Sequence, residues 1–282
     1  MIDEWVGGVA KEVDFVQEAR SQARVTTLLA QNRASIIVPA LHPALGASAG
    51  LVSDGGGVVS REGTRGKGTE RLLVMEFIDG QRLTDVADKH LQDEGKIKLM
   101  ESLIAAYAQL MLVDGVFQAD PHPGNLLLTK GTAEGEWLPV LLDFGLTKYM
   151  PRHARRGMAK WVLAVEAMDI ERMKAAMAEL GMEIKPGVEL DDSNMEHTSA
   201  MFGDVLPGQQ QREETMKRID RMRASAAAKG QRGPPMAKMS GHMMLFMRSY
   251  MLLRGMASGM NVKVPVMEHM AKGARLGLAV EG

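Results

Sequence analysis

The chain has 282 residues, 45% of them apolar, which is enough for one large or two small cores, and a formal net charge of −1. That balance gives no whole-molecule field to draw in nucleic acid, which is not expected as a partner. The absence of cysteine excludes disulfides and thiolate-bound zinc. No run of 18 apolar residues exists, because Arg248 and Arg254 interrupt the most apolar stretch.

In chain order, the first extended element is Ile36-Ile37-Val38. The Gly-rich stretch Gly46 to Gly68 reads as an insertion between two strands. It is no phosphate loop: Ser60 falls where the third glycine should follow Gly55 and Gly57, and Arg61 stands five before Gly66-Lys67. Arg71 to Gly80 reads as a strand running into a hinge. Met75 there would line the back of a nucleotide pocket, and the backbone from Glu76 to Ile78 would offer adenine its hydrogen bonds. A core strand with a glycine stop explains the same apolar residues, so the hinge role leans on the motifs downstream. Lys96 to Asp114 spaces Met100, Leu103, Ile104, Tyr107, Leu110 and Met111 as one face of a helix, with Gly115 as its stop.

Two short motifs come next. Asp120-Pro121-His122-Pro123-Gly124-Asn125 precedes Leu126-Leu127-Leu128, and Val140-Leu141-Leu142 precedes Asp143-Phe144-Gly145. The two apolar triplets read as strands, with Thr129 to Pro139 as the hairpin loop between them. Antiparallel pairing then brings Asn125 and Asp143 together at the outer ends. An Asp, an Asn five residues on, and a later Asp-Phe-Gly is the spacing of protein-kinase-like phosphotransferases. Such chemistry needs a carboxylate near the attacking oxygen, here Asp120. It also needs oxygens to hold Mg²⁺ against the phosphates of ATP, here Asn125 and Asp143. Alone, Asp-Phe-Gly is only a turn after a strand; the context gives it weight. His122, between two prolines, reads as a residue that shapes the loop.

The remainder reads as mostly helical. Trp161 to Leu180 fits one helix closed by Gly181, and Lys185 to Gly208 is turn-rich. Gln209 to Gly230 is a charged helix or linker, and Met236 to Met260 a methionine-rich helix. Methionine stripes are usually soft core packing; a membrane or prenyl-lipid surface is the functional alternative. Arg152, Arg155 and Arg156 read as a solvated helix start.

Phe117-Gln118-Ala119-Asp120-Pro121-His122-Pro123-Gly124-Asn125 resembles the signature of the UbiB/ADCK atypical kinases, with Gln118 where a His often stands. Lys11 to Ala19 is similar to that family's Glu-x-Asp segment on the C helix, and Leu141 to Leu146 to its metal loop; the wording looks most like plant and algal members. The resemblance implies ATP and Mg²⁺ as cofactors and Asp120, Asn125 and Asp143 as the catalytic trio. It makes Glu18 the partner of a phosphate-binding lysine, and Glu12 and Asp14 an acidic pair facing a Lys-x-Gly-Gln motif. At about 100° per residue, Asp14 and Glu18 share a helix face while Glu12 points roughly 160° from Asp14. The resemblance also implies prenyl-quinone lipid as substrate or partner, and a place at a chloroplast or mitochondrial membrane surface.

The expected fold is therefore α+β and protein-kinase-like, with an incomplete small lobe whose first strands are missing. Residues 1–80 form the partial small lobe, 81–205 the large lobe, and 206–282 a charged linker and helical extension. The expected function is that of an ATP-binding atypical kinase or ATPase linked to prenyl-quinone metabolism. The alternatives are a pseudokinase scaffold and a small-molecule phosphotransferase of the aminoglycoside type. Glu18 is present, but no lysine-bearing strand precedes it and no Lys-x-Gly-Gln occurs. An incomplete copy of a longer protein is expected from that mismatch, with the motif and a strand lysine encoded upstream.

Overall fold

The computed structural model describes residues 15–42, 72–133, 135–204, 235–280 and part of 213–227. Glu12, Asp14 and the Gly46 to Gly68 stretch lie outside the described residues. Helix and strand are mixed as the α+β reading expects, with three small antiparallel sheets among the described residues. The chain divides into two units, Met1–Lys89 with Val116–Tyr149, and His90–Gly115 with Met150–Gly282.

In the first unit, helix α1 (Phe15–Gln31) buries Ala19, Gln22, Val25 and Leu29, spaced three and four apart. Its end is a left-handed turn at Arg33, with Ala34 N–H reaching Leu29 O and Arg33 N–H reaching Ala30 O. Gln22 then ties the helix to the following segment through Nε2 and Pro39 O at 2.6 Å.

The main sheet has the order β1 (Gln81–Arg82), β3 (Leu126–Lys130), β4 (Trp137–Leu141). The β3–β4 hairpin pairs Leu126 with Leu141 through to Lys130 with Trp137. The strands are longer than the two apolar triplets, so the loop shrinks to residues 131–136. Pro139 belongs to β4, not to the loop. The bonds from Leu142 N–H to Asn125 O and Gly131 N–H to Glu136 O set the ladder's phase, and Leu128–Pro139 is a pair that exchanges no hydrogen bond. The missing Pro139 N–H faces the outer edge, where its carbonyl accepts from Ile37 N–H at 2.8 Å.

The expected strands Ile36–Val38 and Arg71–Gly80 are reduced, among the described residues, to isolated bridges at Ile37–Val140 and Leu41–Met75. Pro39 removes the donor with which the parallel pairing of Ile37 on β4 would continue. Strand β2 (Val116–Gln118) pairs with β5 (Thr147–Tyr149), Gln118 opposite Thr147. Helix α2 (Leu83–His90) follows β1.

In the second unit, helix α3 (Asp93–Gln109) buries the expected stripe, Met100, Leu103, Ile104 and Tyr107 all at 0% exposure. Its last turn, Leu110–Asp114, is π-helical, and Gly115 closes it at φ 68° with its N–H on Leu110 O. Arg155 is no solvated side chain: its Nη1 donates to Val113 O of that turn at 2.6 Å.

The expected helix Trp161–Leu180 is two, α4 (Arg152–Glu166) and α5 (Ile170–Glu179). Met168 at φ 54° breaks it, and the Asp169 side chain starts α5 by accepting from Arg172 N–H. The turn-rich stretch holds a helix, α6 (Asp192–Phe202), opened by a capping box of Asp191 and Asn194. Strands β6 (Glu183–Ile184) and β7 (Met236–Lys238) pair, so Met236 starts a strand rather than a helix. Helices α7 (Gly241–Gly259) and α8 (Val266–Val280) complete the unit.

Trp161, Phe202 and Tyr250 join α4, α6 and α7, with Phe202 4.6 Å from each of the other two rings. Arg254 donates to Gly203 O and Tyr250 to Phe202 O, closing the C-terminal end of α6. Met243, Met256 and Met260 are buried, Met236, Met239, Met247 and Met251 are half-buried and Met244 is exposed, so the stripe is core on one face only. No helix among the described residues is long and apolar enough to cross a membrane. Helix α8 crosses α3 and the π-turn through Gly273 and Gly277, whose missing side chains let it touch Ala108 O and Leu112 O.

Candidate functional site

Strand β2 delivers the chain to Ala119 and Asp120, and two prolines then force a tight turn. The Asp120 carbonyl accepts from His122 N–H at 2.7 Å. His122 Nδ1 accepts from Gly124 N–H at 3.0 Å and caps the short 3-10 turn Pro123–Asn125, the loop-shaping role its position suggests. This turn sets Asn125 at the foot of β3, opposite Leu142.

The hairpin closes the site as its register requires. Asn125 Nδ2 lies 3.1 Å from Asp143 Oδ2 and 3.4 Å from the Asp120 carbonyl. Asp143 Oδ1 accepts from Gly145 N–H at 2.8 Å. Asp120, Asn125 and Asp143 are all partly exposed, while Phe144 is wholly buried. The structure brings these three predicted residues together with Glu18, whose Oε1 accepts from Phe144 N–H at 3.1 Å.

Glu18 is half-buried. Its pKa is raised above the ordinary carboxylate value, mainly by desolvation, partly countered by the Phe144 N–H and reinforced by the Asp143 charge. A raised carboxyl favours the fold at low pH, and that contribution is lost as pH climbs from about 4.5 through the raised value. Glu18→Gln keeps an oxygen for Phe144 and removes the titration. Its melting temperature relative to the parent is expected to be more favourable at pH 7 than at pH 4, and an equal difference at both would refute this.

The hinge residues lie on the 72–80 segment. Glu76 N–H is bonded to Ala40 O at 2.7 Å, and Glu76 Oε2 accepts from Ala40 N–H at 3.0 Å. Among the described residues, the Ile78 N–H and the Glu76 carbonyl meet no hydrogen-bond partner. Met75 is half-buried at its bridge to Leu41. The segment's end is fixed to β3 by Thr129 Oγ1 on Asp79 O at 2.9 Å.

Among the described residues no cluster of three or more His, Cys, Asp or Glu could hold a metal. One carboxylate with one amide is nevertheless a donor set suited to Mg²⁺, which keeps several waters and takes phosphate oxygens for the rest. The residues present therefore fit that ion when it arrives with a nucleotide.

Gln118 stands out in the sequence only as a departure from the family's wording. It is 2% exposed, and its Nε2 donates to the Asp143 carbonyl at 2.6 Å. Thr147 escapes sequence reasoning outright: its N–H and Oγ1 both reach Phe144 O, at 3.1 and 2.8 Å. A Gln beside a catalytic motif is the available signal for the first; Thr147 leaves none.

Residues 65–177 match the ABC1 atypical kinase-like domain, a span that contains the whole Asp120–Asn125–Asp143 constellation. That stretch is similar to the ABC1, or UbiB/ADCK, atypical kinases. Among curated proteins, the chain is 25% identical over 181 residues to AarF domain-containing protein kinase 1 of Gallus gallus, covering 64% of the chain and 30% of that protein. It is 29% identical over 173 residues to the chloroplastic ACTIVITY OF BC1 COMPLEX KINASE 3 of Arabidopsis thaliana, covering 61% and 20%. The match thus spans less than a third of either relative's length. A solved structure of Rv3197 from Mycobacterium tuberculosis, in complex with erythromycin, superposes at a TM-score of 0.65 with 15% identity. It covers 99% of this chain and 62% of that one, a likeness of fold.

Proposed function

We propose that this chain is the nucleotide-handling part of an ABC1-type atypical kinase or ATPase, using ATP and Mg²⁺. The observation that carries the reading is the joining of Asp143 to Asn125 and of Asn125 to the Asp120 backbone, with Glu18 on the next peptide. In this reading Asn125 and Asp143 hold Mg²⁺, which when bound neutralises the phosphate charge. The Asp120 carboxylate orients the attacking hydroxyl or water and accepts its proton. The Glu76 carbonyl and Ile78 N–H take the adenine edge, with Met75 behind it. Glu18 holds the metal loop through the Phe144 N–H.

ATP hydrolysis is expected to exceed phosphorylation of added proteins, since no Ala-Pro-Glu segment follows Asp143 to dock a peptide and no Arg precedes Asp120. Removing a positioned proton acceptor costs about 10²–10⁴-fold in rate, the loss expected for Asp120→Ala in a phosphate-release assay. Robust phosphorylation of a generic peptide, abolished by Asp120→Ala, would overturn the preference for hydrolysis.

A prenyl-quinone lipid as acceptor or partner, and a chloroplast or mitochondrial membrane surface as the location, belong to the same reading. The likeness to the ABC1 family supports both, and the likeness to a chloroplastic protein supports the plastid. A nucleotide-binding scaffold without turnover is the second reading, favoured by Glu18 meeting Phe144 N–H and Asp143 rather than a cation among the described residues. Nucleotide binding without phosphate release would select it.

A further inference from the structure

We propose that Gln118 is a positioning residue that sets the aim of the Asp143 carboxylate. The proposal rests on the reading of Asp143 as a metal ligand, and its anchoring part stands apart from that reading.

The tetrapeptide Asp143–Leu146 hangs from consecutive residues at the end of β2. Gln118 Nε2 holds the carbonyl of its first residue at 2.6 Å, and Ala119 N–H holds the carbonyl of its last, Leu146, at 2.9 Å. Gln118 is itself fixed, because its backbone lies in the β2–β5 ladder opposite Thr147. Its reach therefore starts from an immobile Cα.

Fixing the Asp143 carbonyl fixes the plane of the Asp143–Phe144 peptide, and with it the direction in which the Asp143 side chain leaves the backbone. Gly145 N–H and Asn125 Nδ2 then settle the two carboxylate oxygens. Glu18 holds the N–H of the same Asp143–Phe144 peptide, and Thr147 holds the carbonyl of the next one. Gln118 is the side chain that grips the shared peptide through Asp143's own carbonyl, opposite Glu18.

Burial argues against a packing role. An amide at 2% exposure is costly unless it is hydrogen-bonded, and an apolar side chain of the same size would fill the space without that cost. What the amide adds is a donor in a fixed place. It also does not ionise near neutrality, so the hold does not vary with pH.

The test compares the full chain with Gln118→Met, which keeps the shape and loses the donor, and Gln118→Asn, which keeps the amide and shortens its reach by one methylene. Gln118→His, which restores a donor, is the rescue variant. Hydrogen exchange of the 142–147 segment is measured without nucleotide, and then the Mg²⁺ half-saturation for binding a fluorescent ATP analogue. With Met or Asn at 118, both are expected to rise about ten-fold, the worth of one buried hydrogen bond, while exchange in α3 and α8 stays unchanged. With His both are expected to return toward the parent. Unchanged exchange in 142–147, or a rise spread evenly over the molecule, would overturn the proposal. If the parent binds no nucleotide with Mg²⁺, faster 142–147 exchange in the variants keeps the anchor and sinks the metal reading instead.

Discussion

Asp143→Asn is expected to abolish Mg²⁺-dependent nucleotide binding in a protein that still folds. The substitution removes the charge of a ligand to a hard cation. Altering a group that merely orients a ligand costs about 10–100-fold in metal affinity, so the loss here should exceed that. The loop is held chiefly through backbone atoms: the Asp143 carbonyl on Gln118, the Phe144 N–H on Glu18 and the Leu142 N–H on Asn125 O. An asparagine retains an oxygen for Gly145 N–H. Mg²⁺ titrations with a fluorescent nucleotide, beside a circular-dichroism melt, check both halves. Unchanged Mg²⁺ dependence in the folded variant would count against Asp143 as a ligand.

Gly277→Ala is expected to destabilise the chain, against the usual helix preference. Alanine gains about 1 kcal/mol over glycine inside a helix. At 277, however, a Cβ would overlap the Leu112 carbonyl of the π-turn and approach the Leu112 and Val113 backbone. Backbone cannot rotate away as a side-chain tip can, so overpacking of about 3 kcal/mol should win. Gly255→Ala in α7 is the opposite case: the site is exposed and nothing lies within 4 Å of the added carbon. It should raise stability by about 0.5–1 kcal/mol. Denaturant midpoints that move the same way for both substitutions would contradict the close crossing of α8 on the π-turn.

The site was legible because its parts are carried by short covalent spacings. Asn125 stands five residues after Asp120, and two apolar triplets predict the pairing that brings Asp143 back. The face of α3 was legible from its period, and Gly115 from its place after that period ends. What escaped notice lacks local punctuation. Met168 turns left-handed with no glycine or proline to announce it, so α4 and α5 looked like one helix. Helix α6 was announced only by Asp191 and Asn194, three apart in a stretch that otherwise reads as turns. The strands expected at Ile36–Val38 and Arg71–Gly80 depend on partners, and propensity does not reveal how far a partner extends. Gln118 and Glu18 reach backbone atoms 25 and 126 residues away, and no local pattern encodes such contacts.

The β3–β4 hairpin keeps its chemistry at one end and its turn at the other. Five residue pairs separate Asn125 from the 131–136 tip, roughly 17 Å of ladder at about 3.4 Å per residue. The register is held along that ladder, and Gly135, at φ 75°, has open space around its Cα. Lengthening a loop costs only about 0.6 kcal/mol per doubling. The tip is therefore a place where an affinity tag, a dye-bearing cysteine in this cysteine-free chain, or a tether to a bead can be inserted, far enough from Asp143 to watch nucleotide arrive without touching it.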